Sequence, residues 1–303
     1  MTSQSRGINL KIGVITKNPN SWASTQLKEA IKRNNAEPFF FNFSQITAKV
    51  KTKPEACVGN LNIIEELPAI IIRPIGRGSL EEIIFRLDLL NRLERLGTLV
   101  INPPKSIERS VDKFYSLTLL EETGIPVPRT IVTENPEEAL KAFEELGGDV
   151  IVKPIFGSRG IGSTRVSDPE IATRIFRALA YNHNVIYIQE FIEHGFSDIR
   201  AFVIGNHVIA SMKREAETWK TNVSQGAKPK PIKLSREIED LAIKAAKTIG
   251  CKIAGIDILE SRDGPLVIEI NSQPGWRGLQ TVTKVNIADE IVRYVLKELG
   301  RQS

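Results

Sequence analysis

Apolar and polar positions along the first hundred residues follow two periods in turn. Residues 10–16 read as a strand, 25–34 as a helix, 38–43 as a second apolar run and 69–72 as a short strand of the buried type. Residues 80–96 carry apolar side chains at helical spacing, and 99–101 close the unit before the break at Asn102-Pro103-Pro104. Strands that alternate with helices predict an open parallel α/β sheet, because parallel neighbours need a crossover between them. Residues 47–62 fit neither period.

The pattern then changes. A helical stretch from Ser106 ends in Gly124-Ile125-Pro126-Val127-Pro128, and a strand follows at 129–132. Asn135 before Pro136-Glu137-Glu138 is a good N-cap with proline at the first helical position. Residues 150–153 and 161–166 read as strands, Asp168-Pro169-Glu170 opens a helix to Tyr181, and 185–191, 199–204 and 207–213 are strands again, with Gly205-Asn206 as a hairpin turn. Ser235 caps a helix to Ile249, and a terminal helix spans 287–299.

Between these helices lies the most informative chemistry. Glu269 and Asn271 stand two residues apart in a strand pattern, so both side chains project from one face. Asp257 sits in the β-rich run 253–259, and the turn at 261–264 allows the two runs to pair as a hairpin. Two carboxylates and a carboxamide on one face suit a hard cation such as Mg²⁺; the same residues also fit a strand face turned to solvent.

Lys153 ends a strand and Gly157-Ser158-Arg159-Gly160-Ile161-Gly162 follows. The lysine precedes the glycines, so this is not a Walker A loop. A strand–glycine loop–strand unit fits either a flap whose N–H groups approach phosphates or an ordinary glycine-rich hairpin. Gln189-Glu190-Phe191-Ile192 ends an apolar strand in polar residues and can offer backbone groups to an adenine edge, with Glu190 for ribose hydroxyls; solvated strand-end residues have the same pattern. Arg200 and Arg214 suit bidentate contact with carboxylate or phosphate, against salt bridges to Asp198 or Glu215. Arg73 and Arg77 flank Pro74-Ile75-Gly76 just after a parallel-type strand, where open α/β sheets bind ligands. They fit an acidic acceptor, with Trp276 as an aromatic face for a flat ring; the competing reading pairs Arg73 with a carboxylate of the helix over 81–94 and buries Trp276 in the core.

Composition narrows the classes. The 303 residues leave room for two or three subdomains. No apolar run approaches the roughly 20 residues of a membrane span, and the N-terminus lacks the apolar segment of a secretory signal. Cys57 and Cys251 match no metal spacing, which points to a reducing cytoplasm. The net charge of +5 comes from scattered Lys and Arg with only 6% aromatics, which argues against a nucleic-acid platform and for an enzyme that handles several anions.

The order of these pieces resembles the ATP-grasp superfamily: Lys113 on a helix, Lys153 with its glycine loop, a Gln-Glu-Phe hinge and a terminal Asp…Glu-x-Asn hairpin. The segments DIRAFVIG, KREAE, KTN, AGIDIL and VIEINSQPG resemble the RimK-like ligases, and Arg73-Pro-Ile-Gly-Arg-Gly78 with Gly275-Trp-Arg-Gly-Leu-Gln280 resembles the tetrahydromethanopterin α-L-glutamate ligases among them. The resemblance implies a pre-ATP-grasp domain over 1–104 followed by two ATP-grasp lobes over 105–185 and 186–303. It further implies ATP-dependent amide formation between L-glutamate and an acidic small-molecule or peptide acceptor through an acyl phosphate. Two Mg²⁺ ions, or Mn²⁺, would be held by Asp257, Glu269 and Asn271. Lys113, Lys153, the loop 157–162, the hinge 189–192, Asp198 and Lys220 would hold ATP, Arg214 and Asn222 would serve catalysis, and Arg73, Arg77, Arg200 and Trp276 would face the substrate. The family implies a homo-oligomer. A protein C-terminal glutamate as acceptor, a D-alanine–D-alanine or lysine-biosynthesis ligase, and a non-catalytic ATP-binding module are the alternatives.

Overall fold

The computed structural model describes residues 10–157 and 160–302. Strand β1 (Lys11–Ile15) passes through helix α1 (Trp22–Arg33) to β2 (Glu37–Phe41). Ser21 starts α1 by accepting from Ser24 N, three residues before the apolar spacing makes a helix visible. The unassigned residues then form a small antiparallel sheet, β3 (Ile46–Ala48), β4 (Ala56–Val58) and β5 (Leu61–Asn62). Strands of two or three residues are too short to display a period of two, so no alternation marks them.

Helix α2 (Ile63–Glu66), β6 (Ala69–Ile72), α3 (Leu80–Arg95) and β7 (Leu99–Ile101) complete the first unit. Its sheet runs β2-β1-β6-β7 with every pair parallel, as the alternation predicts. All four residues of β6 are buried, as expected of a strand covered on both faces. A capping box between Ser79 and Glu82 fixes the start of α3.

The single helix expected from Ser106 is two, α4 (Pro104–Val111) and α5 (Lys113–Glu122). Asp112 breaks them and caps the second by accepting from Tyr115 N at 2.9 Å. That break places Lys113 at the first position of α5.

Strands β8 (Thr130–Thr133), β9 (Val150–Lys153), β10 (Thr164–Val166) and β11 (Ile186–Glu190) form an antiparallel sheet in the order β10-β9-β11-β8. Helices α6 (Pro136–Glu145) and α7 (Pro169–Tyr181) pack on it around Phe143 and Phe176. Helix α4 lies between α3 of the first unit, with Ile107 in that core, and the C-terminal elements, and α5 packs on α8 and β16.

The largest sheet holds β12 (Ser197–Ile204), β13 (His207–Glu215), β14 (Lys228–Pro231), β15 (Ile253–Ser261) and β16 (Gly264–Asn271), in the order β14-β13-β12-β15-β16 and antiparallel throughout. Helix α8 (Arg236–Ile249) covers one face together with α5, through Ala242, Ala245 and Ile249 against Leu117, Leu120 and Ile256. After the short α9 (Arg277–Gln280), α10 (Ile287–Gln302) returns to α1 and packs Ile291, Val292 and Val295 among Leu27, Ile31 and Ile71. A buried side chain locks the first unit to the last sheet. Asn102 Oδ1 accepts from Lys252 N (2.7 Å) and Ile253 N (2.8 Å), while its Nδ2 donates to Ile253 O (2.6 Å) and to Ser272 O.

Candidate active site

The hairpin forms as the alternation predicts. Asp257 stands opposite Glu269 and Gly255 opposite Asn271, so the three polar side chains share a face, with a register shift between Asp257 and Ile258. Asp257 is not free on that face. Arg200, its cross-strand neighbour on β12, donates to both carboxylate oxygens (Nη2–Oδ2 2.7 Å), and Arg214 Nη2 lies 3.1 Å from Oδ1. Arg214 also grips Asp198, its partner across β12 and β13, through Nε–Oδ1 at 2.6 Å and a second contact from Nη2 to Oδ2. Thr221 Oγ1 donates to Asp198 Oδ2 at 2.7 Å.

A buried chain Arg200–Asp257–Arg214–Asp198 results, and two expectations change with it. Arg200 was expected to face substrate but its fork is taken by Asp257. Asp198 was expected among the nucleotide contacts but its oxygens are taken by Arg214 and Thr221. Burial pushes the Asp257 carboxyl up, and Arg200 and Arg214 outweigh it, holding the group below the ordinary carboxylate range. Burial would lower the Arg214 pKa, yet Asp257 and Asp198 drive it upward. Asp198 is raised by burial and by Asp257, against the pull of Arg214.

Glu269 is the opposite case. Among the described residues it makes no hydrogen bond and no ion pair, and burial, then the Asp257 charge, raise its pKa. The Asn271 carboxamide has a buried Nδ2 without a partner. No three His, Cys, Asp or Glu side chains converge among the described residues; the set here is two carboxylates and a carboxamide. An unpaired carboxylate beside a second one is costly in a desolvated cleft and fits a divalent cation with oxygen ligands.

Two lysines approach the same cleft. The Lys153 ammonium, at the end of β9, has no acceptor among the described residues and lies 5.9 Å from the centre of the Tyr187 ring. Burial lowers its pKa to about 8, with Lys113 adding to the fall and Glu269 opposing it. Lys113 Nζ donates to Gly157 O (2.9 Å) and Ile155 O (3.3 Å), so it braces the glycine loop, and burial lowers its pKa as well. Gly160 adopts φ +68° with Asn222 Oδ1 only 2.5 Å from where a Cβ would stand, so the loop backbone rests directly on Asn222. Gly162, also at positive φ, packs on Pro154. Ser158 and Arg159, expected as phosphate contacts, lie outside the described residues.

At the hinge the side chains are turned to the protein. Gln189 Nε2 donates to Thr130 Oγ1 (2.9 Å) and Tyr187 OH (3.2 Å). The Glu190 carboxylate, expected for ribose hydroxyls, accepts from Arg129 N and Nε, both at 2.8 Å. Phe191 N donates to Asp149 O, and the Arg165 guanidinium lies 3.5 Å from the Phe191 ring centre. The Ile192 N–H has no partner among the described residues. Thr221 borders the cleft and Arg129 holds the hinge at Glu190; Thr221 lies in the KTN segment, but neither contact is legible in the sequence, since the partners lie 23 and 61 residues away.

Lys113, Lys153, Gly157, Gly160, the hinge 189–192, Asp198, Arg214, Lys220, Asn222, Asp257 and Glu269 border one cleft of about 890 Å³, open solvent included. Residues 110–295 match the RimK-like ATP-grasp domain and residues 10–107 the RimK PreATP-grasp domain. The chain belongs to the RimK-like ATP-grasp family. It is 34% identical to the tetrahydromethanopterin:α-L-glutamate ligase of Methanococcus maripaludis, over 93% of this chain and 97% of that one. It is 39% identical to a probable α-L-glutamate ligase of Legionella pneumophila, over 69% and 71% of the two chains. The ATP-grasp ligase PsnB, solved with minimal precursor, Mg and ADP, superposes with a TM-score of 0.76 at 21% identity, over 96% of this chain and 97% of that one, which shows the fold.

This RimK-like chain is therefore an ATP-dependent ligase. No helix among the described residues is long and apolar enough to cross a membrane. The four residues expected to face substrate, Arg73, Arg77, Arg200 and Trp276, all stand outside the lining of this cleft. Trp276 is 1% exposed and packs on Trp22 and Phe202, so its ring is core and offers no open platform. Arg73 lies over that ring, 4.6 Å from its centre, and donates to Pro274 O at 3.2 Å. Glu82, a carboxylate of the helix considered as its partner, pairs with Arg86 instead. Arg77 is exposed, and its carbonyl accepts from Lys17 and Arg86.

Proposed function

We propose that this enzyme adds L-glutamate to the carboxylate of an acidic acceptor, with a pterin bearing a carboxylate tail as the acceptor its ligase relatives favour. The observation that carries the reading is one cleft that collects an unpaired ammonium (Lys153), an unpaired carboxylate (Glu269) and a buried guanidinium (Arg214) under a glycine loop. The relatives' names favour a pterin-type acceptor over a ribosomal protein.

The γ-phosphoryl group passes to an acceptor carboxylate oxygen, releasing ADP. The glutamate α-amine then attacks the acyl carbon, phosphate leaves with the C–O electron pair, and the amine loses its proton as the amide forms. Lys153 and Lys113 hold phosphate oxygens as point charges. Arg214 spends Nε and Nη2 on Asp198 and Asp257, leaving Nη1 without a partner among the described residues as the donor for charge that develops on the transferred group. Asn222 supports the loop at Gly160, and the closed loop keeps water from an acyl phosphate that would otherwise hydrolyse. Glu269 and Asn271, with Asp257 beside them in contact with Arg200 and Arg214, would hold Mg²⁺, two ions in this reading, which would neutralise phosphate charge; Mn²⁺ is the alternative.

The test is incubation of the protein with ATP, Mg²⁺, L-glutamate and tetrahydromethanopterin, following ADP and the mass of the pterin. The expected result is ADP that depends on both substrates and a product heavier by one glutamyl residue. ADP release without that product, or none with either substrate, would overturn the proposal.

A further inference from the structure

Lys220 is the third lysine bordering the cleft, after Lys113 and Lys153. Lys113 donates to the carbonyls of Ile155 and Gly157, whereas the Lys220 ammonium meets no carboxylate and no carbonyl among the described residues. It stands over the indole of its neighbour Trp219, 5.1 Å from the ring centre, and Trp219 lines the same cleft. Adjacent side chains in an extended chain point to opposite sides, so this contact depends on the bend at residues 217–219. On the other side of Lys220 the segment is pinned: Thr221 Oγ1 donates to Asp198 Oδ2, and Asn222 lies against Gly160. Lys153 is held in the same manner, its ammonium facing the Tyr187 ring. A carboxylate partner would cancel the charge of such a lysine and repel an arriving phosphate. A ring face attracts the cation without cancelling its charge, so the ammonium stays available to an anion on its open side.

We propose that Trp219 is a positioning residue, holding the Lys220 ammonium where it meets an ATP phosphate and keeping it there while the phosphate is bound. Ring and phosphate then take opposite sides of one ammonium. This rests on the nucleotide contact that the family resemblance implies for Lys220.

Calorimetry of the full chain with Mg·ATP and with adenosine, which has no phosphate, tests it. Trp219→Leu removes the ring and should weaken Mg·ATP binding by about five-fold or more. Trp219→Phe keeps a ring and should stay within about two-fold of the wild type, and adenosine should bind all three alike. In a Lys220→Met background, Trp219→Leu should cause no further loss, because the ring then has no ammonium to hold. Fluorinated tryptophan keeps nearly the same shape but pulls less on a cation. Incorporated in place of tryptophan, it should weaken Mg·ATP and leave adenosine unchanged, and it decides the matter if Trp219→Leu does not fold. Equal losses for adenosine and Mg·ATP, or the same loss in the Lys220→Met background, show that Trp219 only shapes the cleft and overturn the proposal. Tighter Mg·ATP binding by Trp219→Leu overturns it too, since the ring would then compete with the phosphate for the lysine. Wild-type Mg·ATP affinity in Lys220→Met removes its premise and overturns it. The expected affinities in a protein that forms no glutamyl amide sink the glutamate-ligase reading alone.

Discussion

At the scale of single residues, the site is organised by which charges have protein partners and which do not. Asp257 is neutralised by two guanidinium groups, whereas Glu269 has none, so the two carboxylates of one face play different parts. Glu269→Gln should leave a folded protein whose amide formation falls by at least about 10²-fold, the usual scale for lost electrostatic stabilisation. Circular dichroism together with ADP release at saturating Mg²⁺ checks this, and near-normal turnover would count against the metal face.

Lys153 makes a pH-dependent claim. Its pKa in the folded chain is about 8 against an ordinary 10.5, so the fold disfavours the ammonium. That penalty is fully present below about pH 8 and is relieved as pH rises toward 10.5. Lys153→Met removes it, so the melting-temperature advantage of the variant over the nucleotide-free wild type should shrink across that window. Over the same window the wild type should lose ATP affinity, because the neutral amine no longer holds phosphate. An ATP-induced melting shift that is flat from pH 7 to about pH 9.5 in the wild type, spanning that titration, would refute the assignment.

At the scale of elements, Gly160 rests its backbone on Asn222, and in the proposed reaction this contact keeps the loop over the cleft. The Asn222 carboxamide stands where a side chain at Gly160 would go. Gly160→Ala adds that clash to the strain of a positive φ, and such strain costs about 1 kcal/mol or more. The variant should stay folded but leak: more ADP should be released than amide formed, because water reaches the acyl phosphate. A one-to-one ratio of ADP to amide in this variant would show that the loop does not exclude water. The same scale explains the missed boundary in the first long helix. The apolar spacing continues through Asp112, but an aspartate whose side chain takes up Tyr115 N starts a new helix there and turns Lys113 toward the loop.

At the scale of the whole molecule, the buried Asn102 carboxamide and α10 are among the links between the first sheet and the C-terminal sheet, beside Arg73 on Pro274 O and Ile75 N on Gln273. Asn102 satisfies two backbone N–H and two backbone C=O groups from residues at least 150 positions away. Asn102→Ala strands these groups, and with about 1–3 kcal/mol for each unmatched buried group the loss should exceed about 3 kcal/mol. Urea unfolding checks it, and a change below about 1 kcal/mol would mean that water or a backbone shift replaces the amide.

Local order in this chain is carried by side chains within a few positions of one another, and that part was open to the sequence. The parallel alternation of the first unit, the caps at Asn135, Asp168 and Ser235, and the shared face of Asp257, Glu269 and Asn271 all follow from periods of 3.6 and 2 or from cap chemistry. The small sheet at residues 46–62 escaped because its strands are shorter than any period. The partners of Arg73, Arg200 and Glu190 were decided by the tertiary fold alone. A guanidinium or carboxylate is equally content with a ligand, water or a neighbour, and only the approach of strands 57 or more residues apart settles which one it meets.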